Sequence, residues 1–228
     1  MRGRRLAAVG SSVALGLVAV AAALAATHPE NYRYARTKSD DAAAAKIVLR
    51  KADLPPSSTV QGGPSRPDET PETARDVCNG KLQVEHDLVV TGDAHSSFRD
   101  AQSVLEIESQ ARLFKTAAMA AKDFARDLGT ATKTCLAQTL AKDSPPEQLV
   151  SFRALGSVNG FTSKSWLVEF SVPSSPNAPH VALALTDVVR GRTKAQLATG
   201  LAELQADAPD VALRIQATAL AAMVARMR

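Results

Sequence analysis

Two periodicities divide the chain. Strand side chains alternate every second residue, whereas one face of a helix recurs at three and four. Period two predicts strands over 80–91, centred on Leu88-Val89-Val90, and over 101–109, where Leu105 and Ile107 oppose Glu106 and Glu108. It returns over 148–155 and 163–172, with Trp166, Val168, Phe170 and Val172 on one side against Leu167, Glu169 and Ser171. The stretches 180–189 and 193–201 flank Arg190-Gly191-Arg192, which fits a hairpin with glycine at the positive-φ position. Residues 193–204 also fit helical spacing, and strand is the preferred reading.

Helical spacing governs three other stretches. Residues 42–51 are Ala-rich, with Asp40 and Asp41 ahead of them and Arg50 and Lys51 at their end, which suits the two poles of a short helix. Over 111–142, Phe114, Ala117, Ala121, Phe124 and Leu128 share a face with Cys135, and Gly129 is a natural site for a kink or split. Near the C-terminus Pro209 fits a first helical turn, and Leu213, Ala217, Leu220, Val224 and Met227 form a stripe. Residues 28–41 read as a polar surface segment and Gly156-Ser157-Val158-Asn159-Gly160 as a turn. Residues 55–76 are dense in Pro, Ser, Gly, Thr and acids, too poor in apolar surface to offset their ordering entropy, and read as a loop or linker. Helices set between runs of consecutive strands predict an α+β fold: an antiparallel sheet packed by a long Ala-rich helix and a C-terminal helix, not a doubly wound parallel sheet.

Composition and charge add the compartment. The 228 residues are 45% apolar and 22% charged, which argues against a disordered tail, a collagen-like fibre and a polytopic membrane protein. Residues 1–5 are cationic, 6–26 are uncharged, and Ala23-Leu24-Ala25 has the small-x-small pattern of a cleavage site. Residues 1–26 therefore read as a signal peptide, with an N-terminal membrane anchor as the rival, and both export the remainder. Arg2, Arg4 and Arg5 lie in that segment and no acid does, so without it the formal charge of +4 falls to +1. That balance gives no charge argument for a nucleic-acid partner. Residues 27–77 then form a short helix with a Pro/Ser-rich linker, and 78–228 the folded domain. The two cysteines, Cys78 and Cys135, are expected to form a disulfide in an oxidising compartment, closing a loop of about 58 residues, with two independent buried thiols as the rival.

Several stretches together carry a family resemblance. Leu49-Arg50-Lys51-Ala52-Asp53-Leu54-Pro55, a Pro-rich gap and Cys78 are followed by Leu88-Val89-Val90-Thr91-Gly92 with Ser96-Ser97-Phe98. Gln102-Ser103-Val104-Leu105-Glu106-Ile107 then runs into the Ala-rich stretch and Cys135. This order resembles exported bacterial sensor-like domains, secreted or linked to receptor kinases, with a PsbP-like α/β sandwich. The resemblance implies a non-catalytic domain with an antiparallel sheet between helices and a ligand unknown for most members. Receptor-linked versions tend to carry two disulfides where this chain can make one, and with no kinase segment in the sequence a partner would relay any signal.

Catalytic chemistry is sparse. His28, His86, His95 and His180 are the histidines; His86 and Asp87 point to opposite faces of a strand, and Asp93 with His95 follows Gly92, which suggests a solvated turn. Neither an H-E-x-x-H nor a G-x-S-x-G motif occurs, and 156–160 lack the Lys-Ser or Lys-Thr ending of a phosphate loop. No metal and no cofactor are expected. Arg190, Arg192 and Lys194 read as a solvated hairpin tip. Trp166, the sole tryptophan, belongs to the core or, with Phe170, lines a ligand cleft. The leading expectation is a non-enzymatic exported binding or sensor-like domain whose partner is an unknown small molecule or envelope protein. Its rivals are a hydrolase assembled from scattered residues such as Asp93, His95 and Ser97, and a structural envelope protein tethered by its N-terminal segment.

Overall fold

A computed structural model describes residues 32–54, 61–65, 87–100, 104–126, 134, 149–171, 180–203 and 208–227. Cys78 and Cys135, and residues 1–26, lie outside the described residues. Those described form eight strands: β1 (Arg33–Tyr34), β2 (Gln61–Ser65), β3 (Val89–Arg99), β4 (Val104–Phe114), β5 (Leu149–Ala154), β6 (Thr162–Ser171), β7 (His180–Arg190) and β8 (Thr193–Glu203). Three helices accompany them: α1 (Lys38–Ile47), α2 (Ala117–Arg126) and α3 (Ala208–Arg226). The strands make one sheet in the order β1-β3-β4-β8-β7-β6-β5, with β2 also on β3. All pairs are antiparallel except the short parallel pair β1–β3. The fold is α+β, including the C-terminal helix.

The first face of the sheet is dry and covered by α1 and α3. Ala44, Ile47, Val48 and Leu49 pack there with Phe98, Ile107, Leu197 and Leu201 from the strands and Ala212, Ala219 and Met223 from α3. Thr37 caps α1, its hydroxyl accepting from the Asp40 amide at 3.1 Å, and satisfies a donor the first turn leaves free. Where α1 crosses β3 the strand carries Gly92; a Cβ there would lie 2.3 Å from the Asp40 carbonyl carbon, so the close approach requires glycine. At its other end α3 is tied down by Arg226, which donates to both Asp53 oxygens at 2.9 Å and to the Ile47 and Val48 carbonyls.

Several elements differ from the periodic reading. Residues 111–114 continue β4, because Gln110 and Arg112 keep alternating with Ala111 and Leu113 and pair with Gln196 and Lys194. Phe114 thus ends a strand, and the helix expected over 111–142 begins at Ala117 and is described to Arg126. The short helix starts at Lys38 and ends at Ile47, so Arg50 and Lys51 sit in the extended residue and 3-10 turn that follow it. Part of the expected linker is β2, which pairs with His95–Arg99. On α3 the buried line is Ala212, Gln216, Ala219 and Met223, one position off the apolar stripe, whose members flank it. Gln216 is accommodated because Thr199 donates to its carbonyl at 2.5 Å and its amide donates to Thr186 and to the Leu197 carbonyl, both at 3.2 Å. The hairpin forms as expected, with Gly191 at φ 56°, and residues 193–203 are strand.

Candidate functional site

The second face of the sheet carries the chemistry, and a β-bulge creates it. The β3–β4 register slips between Val90 and Gly92, so Leu88 and Val90 share a face with the odd-numbered Asp93, His95 and Ser97 beyond the slip. The rows of this face follow from the register. Asp93, Arg112 and Lys194 form one row; His95, Gln110, Gln196, Asp187 and Lys164 form the next. Below them run Ser97, Glu108, Ala198, Leu185 and Trp166, then Arg99, Glu106, Gly200, Leu183 and Val168. In the lower two rows polar residues occupy the β3–β4 half and apolar ones the β6–β7 half, and β8 places the small Ala198 and Gly200 between them.

The helix α2 docks on the upper row through charge as well as apolar contact. Ala120 and Phe124 pack with Tyr32, Leu88, Val90 and Phe114. Asp123, wholly buried, accepts from the Tyr32 hydroxyl and from Lys194 Nζ, each at 2.6 Å. Lys164 Nζ donates to the Phe124 and Ala125 carbonyls at the C-terminal end of α2, where a cation suits the helix dipole, and stands 4.7 Å from the Phe124 ring centre. Outside, Asp87 receives Lys122 and Arg126, and the Lys122 hydrogen bond leads in lowering its pKa to about 2. The basic cluster expected at a solvated tip is therefore mostly committed. Lys194 is buried, Arg192 chelates Asp40 with bonds of 2.8 and 2.5 Å, and Arg190 lies over the Phe161 ring. The Arg192 bond is likewise the main cause holding the Asp40 carboxyl at about 2.

At the β3–β4 end of this row and beneath it, charges are unevenly matched. Asp93 has Arg112 at 3.8 Å and Arg36 at 4.0 Å, and accepts from Gln110 at 3.3 Å; burial nonetheless pushes its carboxyl above the usual range. Arg99 reaches Glu106 Oε1 at 2.7 Å, while Glu106 Oε2 is buried without a hydrogen bond and burial raises that carboxyl too. Gln110 Oε1 is likewise buried and unbonded. Glu108, only 6% exposed, has no hydrogen-bond or ion-pair partner among the described residues. Burial first, then repulsion from Glu106, lifts its pKa to about 7. Three successive second-face positions of β4, Glu106, Glu108 and Gln110, thus each carry an oxygen with no protein donor among the described residues.

The residues singled out from sequence are placed as follows. Asp93, His95 and Ser97 lie on a strand, not in a solvated turn, and share a face. His95 is partly buried, and burial followed by the Arg112 charge lowers its pKa, so it is neutral near pH 7. Trp166 is partly buried on the second face, one row from Val168; the backbone of Phe170 pairs with Val181, and its side chain lies outside the described residues. The sequence reading missed Glu108 as a site residue, although its alternation with Leu105 and Ile107 was the available signal. Among the described residues no group of three His, Cys, Asp or Glu is placed to hold a metal ion, and no helix is long and apolar enough to cross a membrane.

No family model and no curated protein matches the chain. Among solved structures, the extracellular domain of PknH from Mycobacterium tuberculosis is similar at a TM-score of 0.43 and 13% sequence identity, over 79% of this chain and 96% of that one.

Proposed function

We propose that the protein is an exported, non-enzymatic binding domain of the cell envelope, sensor-like in role, whose ligand lies on the second face of the sheet. One observation carries this reading: the row Ser97, Glu108, Ala198, Leu185, Trp166 runs from the unpaired Glu108 carboxyl across the small Ala198 to the apolar Leu185 and Trp166. Such a floor offers polar orientation at one end and apolar burial at the other, the combination small-molecule sites use. The uncharged residues 6–26 behind a basic start support export, and Cys78 with Cys135 would staple the domain outside the cytosol. The hydrolase reading has the shared strand face of Asp93, His95 and Ser97 in its favour. It lacks a relay: Asp93 spends its oxygens on Gln110 and Arg112, and residues two apart on a strand stand about 6.6 Å apart along the chain.

Fluorescence of the single tryptophan tests the binding reading. A small-molecule library screened against the full chain should contain compounds that shift Trp166 emission and raise Tm together, with both effects lost in Ala198→Leu, which fills the floor. Compounds that act equally on Ala198→Leu would place the ligand elsewhere. Turnover of a screened ester, peptide or glycoside that Glu108→Gln or His95→Gln abolishes while the fold persists would overturn the non-enzymatic reading.

A further inference from the structure

We propose that Glu108, with Glu106 Oε2 and Gln110 Oε1 beside it on β4, receives the primary ammonium group of a small ligand whose carbon body lies over Ala198 toward Leu185 and Trp166. The inference rests on the binding reading above and names its ligand class. Its first support is donor–acceptor arithmetic. Glu106 Oε2 and Gln110 Oε1 are buried acceptors without a donor, a cost in free energy that a ligand can return, and an ammonium brings three donors and no acceptor.

Charge complementarity is the second support. Among the described residues, His95 is neutral and Arg99, whose charge reaches Glu108, is bonded to Glu106. Arg112 pairs with Asp93, Lys194 with Asp123, and Lys164 donates to the end of α2 with Asp187 opposite it in register. Glu108 itself makes no ion pair among the described residues. An anionic ligand would meet two carboxylates there, and the described acids are not placed for a metal ion. The small Ala198 beside Glu108, followed by Leu185, suits a short aliphatic body behind the ammonium.

The test uses the full chain at pH 8, with 1,5-diaminopentane and ethanolamine as probes and 1,5-pentanediol as the uncharged control. The amines should raise Tm and shift Trp166 emission while the diol does neither. Glu108→Gln should weaken amine affinity by at least about tenfold, whereas Glu169→Gln should leave it unchanged. Equal effects of amine and diol, or equal amine affinity in Glu108→Gln and the unaltered protein, would overturn the inference. If the amines are silent but neutral library compounds still move Trp166 emission, the ammonium assignment falls and the binding reading stands; silence from every compound removes both.

Discussion

Glu108→Gln should stabilise the protein at alkaline pH and leave it nearly unchanged in acid. The carboxyl titrates from a reference value of 4.5 in the unfolded chain to about 7 in the fold, so the native state holds the proton more tightly. Stability from this group is therefore complete below pH 4.5 and is lost as pH rises through 7. About 2.5 units at roughly 1.36 kcal/mol each gives a loss of about 3 kcal/mol by pH 8, which the amide, never ionising, does not suffer. For a chain of this length that corresponds to roughly 6 to 12 °C in Tm. Asp93 and Glu106, also raised by burial, act with the same sign, and the lowered His95 acts oppositely as pH falls below its usual value. Because both proteins carry these groups, the difference between them reports Glu108 together with its repulsion by Glu106. Urea unfolding at pH 5 and pH 8 measures it. Parallel stability curves for the two proteins across that interval would refute the reasoning.

Other consequences follow from the same packing. Asp123→Ala strands the Lys194 ammonium inside the fold and should cost about 3 to 5 kcal/mol in urea unfolding, while Asp123→Leu with Lys194→Met should recover most of the loss. Gly92→Ala drives a methyl group into the Asp40 backbone and should cost about 1 to 3 kcal/mol, with limited proteolysis then cutting within 32–54. If Cys78 and Cys135 are bonded, a reductant should lower stability by about 4 kcal/mol and peptide mapping should recover the crosslinked pair; an unchanged Tm with two free thiols would refute the bond.

The sequence was most legible where one period ran uninterrupted. The β7–β8 hairpin, β5 and β6 could be traced because alternation was bounded by Gly191 or by the 156–160 turn. It was least legible where side chains on both faces are buried. On β4 the charged Glu106, Glu108 and Arg112 are buried along with Leu105, Ile107 and Leu113, so polarity no longer marks the solvent side. Phe114 closes the strand at a spacing that also suits the helix beyond it, which merged two elements into one. The bulge at β3 carries no local signature beyond Gly92, yet it puts Leu88 and Val90 on the face of Asp93 and His95. Gln216 is tolerated in the buried line of α3 because Thr199 and Thr186, distant in sequence, are there to bond it.

The carbon-13 shift of the Glu108 carboxyl, followed against pH with and without 1,5-diaminopentane, bears most directly on the claim that this buried carboxylate awaits a cation. A midpoint near 7 alone, moved toward acid by the amine because the ionised form is the one that binds, is the predicted result. A midpoint near 4.5 that the amine leaves in place would contradict it.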